Sequence, residues 1–186
     1  MYKDQAIKIY LDDLAAKIPA PGGGSAGALN AAMAAALISM VVNFTLNKPK
    51  YEKYGKELKE ILNKSEALRK EFLNLVDLDV TAYKSKNMRD ALNIPFMVAR
   101  LSFEGIKLCP ALIKKGNINL ITDVAVAAVF FEASFASACF NVEINLKSLG
   151  DKKLAKVIKG ELTKKHKLIK KIRTDMENRV GEIIRW

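Results

Sequence analysis

From Ala26 to Leu46 the chain runs for 21 residues without a charged side chain. As helix that is long enough to cross a bilayer, and no other stretch restricts the fold as much. A third of the run is Ala, which contributes little to membrane insertion, and Asn30, Ser39, Asn43 and Thr45 interrupt it. A helix apolar on every side serves equally well at the centre of a bundle or an oligomer, and the polar interruptions favour that reading over a membrane span. Beta-branched alternating runs are missing from the rest of the chain, and Pro and Gly punctuation is sparse. The expected fold is all-α: one domain over residues 1–186, a bundle of about six helices with a long central one. The helices are predicted near 4–17, 25–47, 50–86, 94–115, 120–148 and 151–184. Pro49 fits the first turn of the third, and Pro110 should kink or end the fourth.

The third predicted helix has the clearest periodicity. Tyr54, Leu58, Ile61, Ser65, Leu68, Phe72 and Leu75 follow alternating steps of four and three, an apolar seam turned toward partner helices. Continued, the same steps reach Asp79 and Ala82, with Tyr83 beside them. A carboxylate on a buried seam costs several kcal/mol unless it is paired, hydrogen-bonded or protonated, on the order of 3–5 kcal/mol when left alone. Asp79 is therefore the first candidate for chemistry. The fifth predicted helix is apolar all round from Val124 to Phe131, so its few polar groups are either satisfied internally or line a cavity. Those groups include Asp123 in its first turn, where a carboxylate also complements the helix dipole, and Asn141 and Asn145, one turn apart. Asn117 and Asn119 lie in the connection before it.

Two Cys and one His exclude a disulfide framework and most metal sites. Cys109 and Cys139 both stand among apolar residues, as structural thiols of a reducing compartment do, and residues 1–17 lack the apolar core of a signal peptide. A cytoplasmic location is the expectation. The net charge is +11, and residues 150–186 hold 12 Lys and Arg against 5 Asp and Glu. A solvated face on the last helix explains such a run first, attraction of a polyanionic ligand second. Nucleic-acid binding comes last, because no recognised motif or aromatic interleaving accompanies the charge.

Gly22-Gly23-Gly24-Ser25 stands directly before the apolar helix. Consecutive glycines let a ligand approach the backbone, and free amides at a helix start attract anions, although close helix packing asks for the same residues. No Gly-Lys-Ser/Thr ending follows, so this is not a phosphate-binding loop. The wider string Pro19-Ala20-Pro21-Gly22-Gly23-Gly24-Ser25-Ala26-Gly27-Ala28-Leu29, followed by Ala36 to Thr45, resembles the cyclodeaminase/cyclohydrolase family. Three more blocks agree in order: Asp79-Val80-Thr81-Ala82-Tyr83, Gly116-Asn117-Ile118-Asn119-Leu120-Ile121-Thr122-Asp123, and Asn141-Val142-Glu143-Ile144-Asn145-Leu146 with Asp151 after it.

The resemblance implies a helical bundle that pairs as a homodimer and acts on one-carbon tetrahydrofolates, with or without a polyglutamate tail, using neither metal nor redox cofactor. Some members hydrolyse methenyltetrahydrofolate to formyltetrahydrofolate; others expel ammonia from formiminotetrahydrofolate by ring closure. The first reaction is the leading expectation here, since no formiminotransferase domain occurs in these 186 residues. Both need proton transfers, for which Asp79 and Asp123 are the candidate catalytic residues, one as base and the other positioning water or pterin. Gly22, Gly23, Gly24, Ser25, Asn43, Tyr83, Asn117, Asn119, Asn141 and Asn145 are the candidate binding residues. The chain departs from the family pattern in one place. Only eleven residues, Lys84 to Ile94, separate Tyr83 from Pro95, where most relatives carry a longer stretch. That departure keeps a second class open: a folate-binding or scaffold dimer without turnover.

Overall fold

A computed structural model describes residues 1–185, and among them the chain is mostly helical, with no strand. Seven α-helices follow one another: α1 (Ile7–Ala15), α2 (Gly23–Asn43), α3 (Gly55–Ser85), α4 (Met88–Ile106), α5 (Cys109–Lys115), α6 (Ile121–Leu149) and α7 (Lys152–Ile184). The uncharged run becomes α2, which packs on α3, α4 and α6. Its small residues allow close approach: Ala28, Ala31, Ala34 and Ala35 are fully buried, as are Ile38, Val41 and Val42. By length and composition both α2 and α6 could cross a membrane, but here α2 has most of its surface against other helices.

The α3 seam packs as its spacing predicts. Leu58, Ile61, Ser65, Phe72, Leu75 and Ala82 are buried along one side, and Ser65 Oγ meets Ser39 Oγ of α2 at 2.8 Å, which satisfies both hydroxyls. On α4, Gly105 lets that helix approach α6. A Cβ there would run into the Phe131 ring, 2.5 Å from its Cζ, and that ring itself packs on Phe72 with centroids 6.4 Å apart. The last helix buries Ile158, Leu162, Ile169, Met176 and Val180 at helical spacing and turns most of its lysines outward.

Several boundaries differ from the sequence reading. The predicted fourth helix begins earlier, at Met88, because Asn87 caps it: its side chain accepts the amides of Arg89 and Asp90. It then divides near Lys107, and Pro110 stands in the first turn of α5, where its missing N–H costs nothing. Pro49 opens a 3-10 turn, Pro49–Tyr54, that leads into α3. The first helix is shorter than predicted, with a 3-10 turn, Tyr2–Asp4, before it.

The apolar character of α6 predicts a helix enclosed on all sides. Instead Val126, Val129, Phe140 and Ile144 lie open, Phe140 at 73% exposure. Beside them on α2, Ala26, Asn30, Met33, Leu37, Met40 and Phe44 follow steps of four and three and are half-buried or exposed. The outer side of the α2–α6 pair is thus apolar and uncovered within one chain.

Candidate active site

Gly22 precedes α2 in an extended conformation and offers no capping side chain, so the first-turn amides of α2 need a partner from elsewhere. Asp79 supplies it. The α3 seam delivers this carboxyl to the start of α2, where it lies against Gly24 and faces the Ser25 backbone N–H. The fit is close: a Cβ on Gly24 would lie 2.8 Å from the Asp79 carboxyl carbon. Only glycine leaves room for the carboxylate at that turn. Burial pushes the Asp79 pKa up, and the Ser25 amide pulls it partly back, so the net direction is upward. The positive end of α2 thus meets a carboxyl that takes up a proton more readily than usual.

A cleft of about 290 Å³ opens onto this carboxyl. Pro19, Ala20, Gly22, Gly23, Gly24, Asp79, Tyr83, Ala91, Asn141, Ile144 and Asn145 line it. Asp79 is the one charged residue among them. Four parts of the chain converge here: the start of α2, the end of α3, the start of α4 and the end of α6. Asn141 donates its amide to the Ser137 carbonyl at 3.0 Å. Asn145 donates to the Ala91 carbonyl at 2.5 Å. That second bond has a traceable cause. Ala91 lies four residues before Pro95, which sits inside α4 and has no N–H to offer the Ala91 carbonyl. Asn145 fills the gap from a different helix. With one N–H of each side-chain amide engaged, the carbonyl oxygens of Asn141 and Asn145 remain to accept from a ligand.

Of the residues singled out in the sequence, this cleft unites Asp79, Tyr83, Gly22, Gly23, Gly24, Asn141 and Asn145, with Ser25 buried directly beneath. The others lie elsewhere. Because α2 and α6 run antiparallel (Asn30 reaches Phe130 and Ser134), the first turn of α6 lies at the far end of α2. Asp123 stands in that first turn, half-buried, while Asn43 and Asn119 are exposed at that same end. Asn117 is buried there in a structural knot: its N–H donates to Thr45 Oγ1 at 2.9 Å, and its Oδ1 accepts the Asn119 amide. Ala91, Ile144, Pro19 and Ala20 were not singled out, since apolar walls leave no chemical signature. A larger groove between α3 and α4, about 650 Å³ and lined by Leu68, Leu101 and Leu108 with a charged rim, contains none of the candidates. Among the described residues no three of His, Cys, Asp or Glu gather as a metal site.

The profile of the formiminotransferase-cyclodeaminase family matches residues 6–87 and 85–164. This chain belongs to that family. A methenyltetrahydrofolate cyclohydrolase from Methylorubrum extorquens is 33% identical over 208 aligned positions, which take in 97% of this chain and all of the relative. The formimidoyltransferase-cyclodeaminase of Rattus norvegicus is 26% identical over 171 positions, covering 80% of this chain but 32% of the rat protein. The crystal structure of formiminotetrahydrofolate cyclodeaminase from Thermotoga maritima superposes with a TM-score of 0.94 at 29% identity, over the whole of both chains.

The two segments matched to the formiminotransferase-cyclodeaminase family meet at residues 85–87, inside the stretch that the sequence marks as short. The structure shows how the chain closes that junction. Lys86 takes the left-handed conformation (φ 55°) and Asn87 caps α4, so two residues turn α3 into α4. The cleft of this family member therefore has a tight rim beside Tyr83.

Proposed function

We propose that this chain is an enzyme of one-carbon tetrahydrofolates that works by acid–base chemistry at Asp79. It hydrolyses methenyltetrahydrofolate to formyltetrahydrofolate or closes formiminotetrahydrofolate with loss of ammonia. Hydrolysis is placed first because the cyclohydrolase relative is 33% identical against 29% for the cyclodeaminase structure, both along nearly the entire chain. The observation that carries the reading is a single carboxyl with a raised pKa in an otherwise uncharged cleft.

Methenyltetrahydrofolate carries a positive charge shared by two nitrogens and the carbon between them. A carboxylate facing that carbon favours the cation and, as water adds, takes one of its protons. The tetrahedral carbon then breaks its bond to one ring nitrogen. Asp79 returns its proton to that nitrogen, and the new hydroxyl loses its own proton to solvent, leaving the formyl group. A pKa above the ordinary carboxylate range suits a group that must first accept and then donate. The Asn141 and Asn145 carbonyl oxygens and the α2 amides are offered to pterin donors and to the substrate's carboxylates respectively. Tyr83, exposed at the rim, has a ring face free for stacking. The scheme uses no metal or redox group.

The test is turnover of both folates, with the spontaneous rate subtracted. Asp79→Asn is expected to lower kcat by about a hundredfold or more, whereas Asp123→Asn, outside the cleft, is expected to lower it far less. Full activity in Asp79→Asn would refute the assignment.

The uncovered α2–α6 face supports a homodimer through this surface. Its period of alternating fours and threes is that of a helix seam, and a self-complementary patch is what two-fold pairing requires. Replacing Phe140 and Met33 with Asp is expected to give monomers in sedimentation velocity; an unchanged dimer would place the interface elsewhere.

A further inference from the structure

Asp77 and Asp79 belong to one stretch of α3, and the N-terminal strap of residues 1–18 reaches the surroundings of both. Asp77, 5% exposed, accepts the backbone N–H of Tyr2 at 2.7 Å and that of Lys3 at 3.4 Å. The Tyr2 ring then meets the Tyr10 ring edge to face, 5.2 Å between centroids, and the Tyr2 phenol donates to Asp13 at 2.7 Å. Tyr10 is the single buried residue of α1, while Ile7 and Leu11 lie open. Its O–H donates to Ser25 Oγ at 3.1 Å, and Ser25 Oγ donates onward to the Val76 carbonyl at 3.0 Å.

Ser25 is therefore held by its hydroxyl from both sides, from the strap and from α3 one turn before Asp79. The Asp79 carboxyl lies against the Gly24–Ser25 turn, and the backbone N–H of that same serine faces it. Packing alone would be served by Phe at position 10, since the ring is enclosed either way. The phenol oxygen adds a fixed partner for Ser25.

We propose that Tyr10 is a positioning residue for Asp79, acting through Ser25 and held in place by the strap that Asp77 anchors. The proposal rests on Asp79 being the base described above. An amide donated to a carboxylate favours its charged form. Removing the Tyr10 hydroxyl loosens Ser25, weakens that donor and moves the carboxyl further upward. The groups facing Asp79 are Tyr10 of α1, the Gly24 and Ser25 backbone of α2, Tyr83 on its own helix, Ala91 of α4, and Asn141 and Asn145 of α6. Among the described residues no lysine, arginine, histidine or second carboxylate lines the cleft.

Tyr10→Phe, Ser25→Ala and the double variant, each in the full chain, test this with two readouts. The first is carbon-13 titration of the aspartate carboxyls, with the Asp79 signal identified by its loss in Asp79→Asn; it needs no turnover. The second is the pH dependence of kcat with methenyltetrahydrofolate or formiminotetrahydrofolate. Tyr10→Phe is expected to raise the Asp79 midpoint and the acid limb of kcat by about half to one pH unit, the size of one lost hydrogen bond, with KM nearly unchanged. In the Ser25→Ala background the same change is expected to do nothing more, because the link has already been cut. An unmoved titration in Tyr10→Phe, or a shift that persists without the Ser25 hydroxyl, overturns the proposal. If Tyr10→Phe fails to fold by circular dichroism, Ser25→Ala carries the test alone, and an unmoved Asp79 midpoint there overturns it too. If the titration shifts while the parent protein turns over neither folate, the positioning link stands and the proposed function falls.

Discussion

Gly24→Ala isolates the closest contact in the cleft. The added methyl would lie 2.8 Å from the Asp79 carboxyl carbon and 2.9 Å from its Oδ2, where carbon atoms normally rest at about 3.5–4.0 Å. Something must move by about 1 Å, and the softest neighbour is the carboxyl, at the end of a side chain with two rotatable bonds. Swinging away, it gives up the Ser25 amide, a charge-assisted hydrogen bond of about 1.5–3 kcal/mol. Replacing Gly by Ala in a helix returns up to ~1 kcal/mol, so the net loss of stability is about 1–2 kcal/mol. In a chain of 186 residues that lowers Tm by only about 2–8 °C. Activity should suffer far more, since a catalytic group misplaced by ~1 Å costs about a hundredfold in rate. Gly23→Ala is the comparison, because its methyl would meet only Asn141 Nδ2 at an ordinary 3.8 Å. Initial rates of folate turnover and calorimetric Tm values for the two variants decide the matter. Equal rate losses in both would refute the steric argument and point to backbone freedom of the whole glycine run.

Asp79→Asn should also act on stability. A carboxyl whose folded pKa lies above its unfolded value makes no differential contribution at low pH. It progressively destabilises the fold as pH rises from the ordinary carboxylate range through its own raised value. The Asn variant is expected to match the parent in urea unfolding near pH 3 and to exceed it at pH 7; lower stability at pH 7 contradicts the burial argument. Gly160→Ala, inside α7 with no atom within 4 Å of the added methyl, should stabilise by about 0.5–1 kcal/mol and leave turnover unchanged, read by thermal unfolding. Burial raises the Cys109 thiol well above its usual range and Cys139 to about 11. Both should resist a thiol reagent at pH 8 until denaturant is added.

The fold was largely legible because periodicity reports burial directly. The steps from Tyr54 to Asp79 named both the packed side of α3 and the carboxyl it delivers. The glycine run and the Asn141–Asn145 pair were legible as residue types, and the fold brings them to Asp79. The start of α4 was not, because Pro95 read as a helix boundary. In the structure Asn87 caps the helix earlier, and a side chain from α6 compensates the proline. Asp123, Asn117 and Asn119 share a block with one another but not a place with Asp79. Sequence order cannot say which end of an antiparallel pair a motif occupies. Tyr10 gave no signal at all, since a lone aromatic on a short amphipathic helix reads as packing.

The bond between Asn145 and Ala91 couples position 145 to the proline at 95, fifty residues away. As long as 95 is proline, any residue at 145 that cannot donate leaves a bare carbonyl at the wall of the cleft. Were 95 to become an ordinary residue, α4 would heal itself and Asn145 would be free to turn toward solvent or substrate. A change at one position is therefore better tolerated when the other changes with it. An inherited imino acid, chemically silent itself, conscripts a side chain from another helix and holds it at the mouth of the cleft.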